Sequence, residues 1–141
     1  LKLLVAVDGS ENSHRALKYA VDLAEKLSAE VTVFNVYRQD IYEAVSKREP
    51  KPRPVDEYIE DARLLARKMA QSALRKSVKM ECKGALGYPP DEILDEGVKG
   101  KYDLIIMGFH GERGLGRLKI MGSVSRRVLE GSSIPVLVVP S

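Results

Sequence analysis

Tryptophan is absent from this sequence, and cysteine is represented once, by Cys82. A single cysteine excludes an internal disulfide framework, and with two histidines beside it the usual zinc sites cannot be assembled. Long apolar runs are missing too, so no stretch reads as a membrane-spanning helix and no membrane partner is expected. The chain enters an apolar strand pattern at Leu3 without a charged-then-apolar leader, so no secretory signal is expected and the cytoplasm is the expected compartment. Nor is there a strong excess of one charge. The 23 Lys and Arg stand against 20 Asp and Glu, a net +3 with bases and acids interleaved, which argues against nucleic acid. Side-chain amides are scarce, with two Asn and two Gln among many Lys, Arg and Glu, a balance that leans towards a heat-adapted source.

What is present suits one globular domain spanning 1–141, with 44% hydrophobic and 30% charged residues. Leu3 to Val7 is a short apolar run that reads as a strand buried on both faces. Ser10 follows as a helix N-cap, and Ala16, Leu17, Ala20, Val21, Ala24 and Leu27 recur at helical spacing. Val31 to Val36, rich in β-branched residues, is the second strand. Tyr37 to Val55, interrupted by Pro52 and Pro54, reads as a long solvated connection with a short helix over Ile41 to Val45. A helix over Asp56 to Lys76 carries one apolar stripe through Ile59, Ala62, Leu65, Ala66, Met69, Ala70 and Ala73.

Val78, Met80 and Cys82 then alternate with charged residues, marking an edge strand with Cys82 on its apolar side. Pro89 and Pro90 open another helix, whose Ile93, Leu94 and Val98 face inwards and which Gly97 and Gly100 close. Asp103 to Met107 is strand four, Gly122 to Glu130 a helix, and Pro135 to Val139 the last strand. Strands alternating with helices predict an α/β fold: a three-layer α/β/α domain around a five-stranded parallel sheet. The strands that end in glycine turns, one and four, belong at its centre, giving the order 3-2-1-4-5. Ligands of such sheets bind beyond the carboxyl ends of the strands where the order reverses, so Asp8-Gly9-Ser10 and the loop from Gly108 should share one crevice.

Gly108, Gly111, Gly114 and Gly116 follow strand four, and Gly122-Ser123 opens the next helix. Glycines permit left-handed torsions and close backbone approach, and a helix N-terminus favours an anion. The alternative is a flexible surface loop. A P-loop requires a lysine before the final Ser or Thr, and Gly122-Ser123 has none. A dinucleotide loop requires G-x-G-x-x-G after strand one, where Asp8-Gly9-Ser10 stands instead. A nucleophile elbow is absent, and His14 reads as a solvated histidine. A mononucleotide or phosphate site remains. Asp8 would accept hydrogen bonds from a ribose or approach phosphate-bound magnesium; its other reading is a turn aspartate bonding its own backbone.

Val5-Ala6-Val7-Asp8-Gly9-Ser10-x-x-Ser13, Gly87-x-Pro89, Gly108-Phe109-His110-Gly111, Gly122-Ser123-Val124-Ser125 and Pro135 to Val139 resemble, in that order, the universal stress protein family. The resemblance runs the full length. ATP-binding members carry G-x2-G-x9-G-[ST] after strand four; here residues 112–121 put ten positions between Gly111 and Gly122, and Gly114 and Gly116 can absorb the extra one as a bulge. The resemblance implies that Asp8 meets the ribose, that Val36 and Met107 frame adenine and that Ala6 lies beneath the base. It places the phosphates at Gly108, Gly111, Gly122, Ser123, Val124 and Ser125. Arg113, Arg117 and Lys119 read as solvated loop charges. The ligand implied is ATP, with AMP and ADP as alternatives, accompanied by Mg2+ through the phosphates.

It also implies a homodimer paired through the C-terminal strand, which agrees with the apolar surface an edge strand of Val136-Leu137-Val138-Val139 would expose. The function expected is an ATP-binding regulatory protein of the stress response, acting as a nucleotide-dependent switch or scaffold. A nucleotide-free dimeric interaction module and a slow ATP hydrolase are the competing readings, the latter without a placed base or transition-state clamp.

Overall fold

The computed structural model describes residues 1–51, 53–110 and 121–141. Strands β1 (Lys2–Ala6), β2 (Glu30–Arg38), β3 (Met80–Gly87), β4 (Leu104–Gly108) and β5 (Val136–Val139) form a single sheet in the order β3-β2-β1-β4-β5, with every neighbouring pair parallel. This is the expected order. The helices are α1 (Glu11–Leu27), α2 (Gln39–Ser46), α3 (Val55–Gln71), α4 (Pro89–Lys99) and α5 (Ser123–Gly131).

Alternation along the strands divides the core between the two faces of the sheet. Leu3, Val5, Val7, Val31, Val33 and Ile106 pack with Ala16, Leu17, Ala20, Val21 and Ala24 of α1 and with Ala66 and Ala70 of α3. Leu4, Ala6, Phe34, Ile105 and Met107 point the other way, towards Ile93 of α4 and Val128 of α5. Each fully buried Leu or Val in these layers contributes about 1.5–3 kcal/mol relative to exposure. Ser10 caps α1, its Oγ accepting from the Ser13 N–H at 3.1 Å. At the other end of that helix Ser28 takes a left-handed conformation, φ 54°, and donates to the Ala24 carbonyl.

Several local expectations are corrected. α3 ends at Gln71 rather than Lys76, and its fully buried aromatic is Tyr58, which the expected stripe omitted. Val98 is 64% exposed instead of facing inwards, because α4 makes its closest approach at Gly97. A Cβ there would lie 3.2 Å from Cδ1 of Ile105, so this buried glycine is a packing contact inside the helix and only Gly100 stands at its end. One residue on, Val98 is rotated by about 100° away from the sheet. Leu27 and Leu65 are also exposed, to 45% and 37%. His14 is half-buried, its Nδ1 3.4 Å from Ser72 Oγ. β3 is an edge strand as expected, and Cys82 packs against the α1/α3 layer, where burial raises its thiol pKa while Arg63 and Arg67 pull it down.

The largest departure is the connection after strand two. Tyr37 and Arg38 complete β2, and α2 follows at once. The rings of Tyr37 and Tyr42 meet Tyr58 edge-on, with centroids 5.2 and 5.1 Å away. Tyr58 donates its hydroxyl to Glu49 at 3.2 Å, and the Arg53 guanidinium lies 4.7 Å over its ring while pairing with Glu57 and Asp61. Edge-to-face pairs contribute about 0.5–1.5 kcal/mol each beyond area burial. The expected solvated spacer is thus tied down on α3. Its anchor lies outside the segment, so nothing within 37–55 announced it.

Candidate functional site

β1 and β4 lie side by side, with Leu3 opposite Leu104 and Val5 opposite Ile106, and the chain leaves them towards opposite faces of the sheet, into α1 and α5. Their carboxyl ends therefore diverge, and a crevice of about 920 Å³ opens between them.

On the β1 side the turn Asp8-Gly9-Ser10 is braced from within. Gly9 takes φ 89°, and the Asp8 carboxylate accepts from the Ser10 N–H at 2.9 Å. Ser13 Oγ donates to the Ser10 carbonyl at 3.0 Å and accepts from the Asp8 N–H at 3.3 Å. Asp8 therefore makes the backbone-bonding turn and at the same time lines the crevice, exposed. Beside it, Asn35 donates to the Val7 carbonyl at 2.8 Å and fixes the end of β2 against β1.

On the β4 side, hydrogen bonds join the strand end to α5 and β5. Ser125 Oγ donates to the Gly108 carbonyl at 2.7 Å, and the Gly122 N–H to the Phe109 carbonyl at 2.9 Å. The Phe109 N–H donates to the Val139 carbonyl at 2.9 Å. Asn12, buried in the first turn of α1, accepts from the His110 N–H at 2.9 Å and donates to the Val139 carbonyl at 3.2 Å. α5 begins at Gly122 with no side-chain cap and no acidic residue in its first turn. An N-terminus of this kind is compatible with an anion.

Ala6, Asp8, Val36, Met107, Gly108, Gly122, Ser123, Val124 and Ser125 all line this crevice. Gly111 lies outside the described residues, as do Gly114, Gly116, Arg113, Arg117 and Lys119. Ala6, Val36 and Met107, with Phe34 and Ile93, supply apolar wall, and Ser123 to Ser125 supply the helix end. A flat apolar group and an anionic group can be accommodated together.

Two glycine roles need correcting. Gly122 has φ −63° and ψ 153°, a conformation open to any residue, so its torsion does not call for glycine. At Gly108 a Cβ would stand 2.8 Å from Asn12 Oδ1, so the missing side chain admits Asn12. In the turn after β1 the left-handed torsion is at Gly9. Ser125 is also more committed than expected: its buried hydroxyl proton is engaged by Gly108, which leaves its backbone N–H towards the first turn.

The sequence reading missed Asn12 and Asn35, and it missed the wall from Tyr37 to Ile41 with Glu43. The one available signal was scarcity. In a chain with two asparagines, both clamp backbone beside the crevice.

The family model described as the universal stress protein family matches residues 1–140. Universal stress protein MJ0531 of Methanocaldococcus jannaschii is 34% identical over 140 residues, covering 98% of this chain and 81% of that protein. A solved structure of MJ0577 from the same organism matches with a TM-score of 0.81 at 27% identity, covering 99% of this chain and 95% of that one. A universal stress protein solved in complex with cAMP shares the fold, with a TM-score of 0.63 at 24% identity over 99% of this chain and 95% of that one. With the sheet order, the crevice and these likenesses in agreement, the chain belongs to the universal stress protein family.

Proposed function

We propose that the crevice binds an adenine mononucleotide and that the protein acts in the stress response as a nucleotide-dependent switch or scaffold. The observation that carries this reading is the pairing, in one crevice at the sheet's switch point, of an apolar wall with the uncapped N-terminus of α5. Val36 and Met107 would frame the base over Ala6, and Asp8 would accept from the ribose hydroxyls. Gly108, Gly122 and the backbone of Ser123, Val124 and Ser125 would face the phosphates, with Gly111 assigned there by its place in the motif. ATP is the ligand proposed, ahead of ADP and AMP, with Mg2+ held through the phosphates. The cAMP complex of a protein with this fold supports the base and sugar class.

Calorimetric titration with Mg2+ and ATP tests the reading. Saturable one-to-one binding below millimolar ligand is expected. Absence of binding at millimolar ATP would overturn it in favour of a nucleotide-free interaction module.

A further inference from the structure

We propose that Asn12 is a positioning residue for the phosphate end of the crevice, locking the turn that leaves β4 onto the last residue of β5. The inference rests on the nucleotide reading above and goes beyond it to a residue that does not line the crevice.

Asn12 is 4% exposed in the first turn of α1, where Ser10 already provides the cap. Burying an amide costs free energy unless both of its ends are paired. Here both are, and to different segments. Oδ1 accepts from His110, 98 positions away, and Nδ2 donates to Val139, 127 positions away. Asparagine alone suits both tasks at this reach. Aspartate has no donor, and glutamine is longer by a methylene. β4 makes room for the amide by ending in Gly108, whose absent Cβ would otherwise meet Oδ1 at 2.8 Å.

The hold extends to the ligand side through the backbone. Gly108 accepts from Ser125 Oγ and Phe109 accepts from the Gly122 N–H, so the turn that Asn12 fixes is the turn on which the start of α5 rests. Of the surfaces assigned to base and ribose, Ala6, Val36 and Asp8 belong to β1, its turn and β2, outside this set of bonds, and Met107 lies within β4, where sheet pairing with β1 and β5 holds the strand. Asn12 should therefore govern affinity for the phosphates and leave the nucleoside almost untouched.

The experiment compares titrations of the full chain with Mg2+-ATP and with adenosine, for the wild type and for Asn12→Leu, which keeps the branched outline of the side chain and removes both hydrogen bonds. ATP affinity should fall by about tenfold or more, the equivalent of one to two hydrogen bonds, and adenosine affinity by less than about threefold. Equal losses for the two ligands, or unchanged ATP affinity, would overturn the positioning role while the wild type's own binding upholds the nucleotide reading. A wild type that binds neither ligand brings down the nucleotide reading and this inference with it.

A second measurement needs no variant. Coupling between two sites is reciprocal, so amide exchange at His110 in the wild type should slow with ATP and hold steady with adenosine. Exchange that ignores ATP, or slows equally with both ligands, would also overturn the proposal.

Discussion

Gly84 of β3 and Ile59 of α3 are in such close register that a Cβ on the glycine would lie 2.4 Å from the Ile59 carbonyl oxygen. The Arg63 backbone nitrogen would be 2.5 Å away and Ala62 Cβ 3.1 Å, and backbone atoms cannot rotate aside. Gly84→Ala should push α3 off the sheet edge and cost about 1–3 kcal/mol, the usual range for overpacking. Urea denaturation checks the value. Because α3 carries Tyr58, the same variant should also disturb the tyrosines at the crevice wall, read as a changed near-ultraviolet circular dichroism signal.

Gly9 is the position where a left-handed torsion is met in the Asp8-Gly9-Ser10 turn. Gly9→Ala should cost about 1–3 kcal/mol, the strain of a side chain held in that region. Gly122→Ala, at φ −63°, should leave stability within about 0.5 kcal/mol of the wild type, as for a site without backbone strain. If a phosphate approaches that backbone, the Gly122 variant will nevertheless lose ATP affinity. Thermal unfolding and calorimetry together separate the two glycines.

Asp8 performs two tasks that substitution can divide. Asp8→Asn keeps an oxygen for the Ser10 N–H and so preserves the turn, while Asp8→Ala removes both turn and ribose acceptor. Alanine should weaken ATP binding by about 1–3 kcal/mol and asparagine by less, if the carboxylate meets the ribose. Equal affinity for both variants and the wild type would remove Asp8 from the site.

Alkaline pH should destabilise the fold through Tyr102 and Lys83. Burial raises the Tyr102 pKa, and the hydrogen bond to Glu96 raises that of Lys83. Both groups keep their protons longer when folded than when unfolded. Their contribution is therefore complete below about pH 10, where the unfolded groups begin to titrate, and is lost as pH rises towards the higher folded values. Tyr102→Phe should flatten part of that decline above about pH 10. At neutral pH it should cost about 1 kcal/mol, because the 2.9 Å bond to Glu96 is gone. Urea midpoints across this range provide the check.

β5 lies at the edge of the sheet with Val136, Leu137 and Val138 only partly buried. If this edge pairs two copies of the chain, light scattering will report about twice the 15.6 kDa monomer mass, and Val138→Lys will shift the population to monomer because a charge there must be desolvated. A dimer indifferent to that change would have to use another face.

The strand order was legible because each strand carries its own signal, a short apolar run closed by glycine or proline in β1, β4 and β5, β-branched residues in β2 and alternation with charges in β3, and the switch-point rule then brought Asp8 and Gly108 together. The crevice wall at Tyr37–Glu43 was not legible, since its support is a tyrosine on a different helix and no local pattern encodes Tyr42 meeting Tyr58. Asn12 was hidden for the same reason, its partners being 98 and 127 positions distant. Glycine identity was read correctly as special but explained incorrectly at Gly97, Gly108 and Gly122. Torsion governs Gly9, whereas neighbouring atoms govern Gly84, Gly97 and Gly108.

The carbonyl of Val139 accepts from both Phe109 and Asn12, and this arrangement sets a timetable for biosynthesis. Chains emerge from the ribosome at about 5–20 residues per second, N-terminal end first. α1, β1 and the turn after β4 are therefore all synthesised before the residue that joins them. Until β5 has emerged and docked, the Asn12 amide lacks its acceptor and the turn at Phe109 lacks its anchor. The nascent protein can lay down its sheet from β3 to β4 while the turn that leaves β4 still lacks these bonds, and the β4 side of the crevice is completed only when β5 docks.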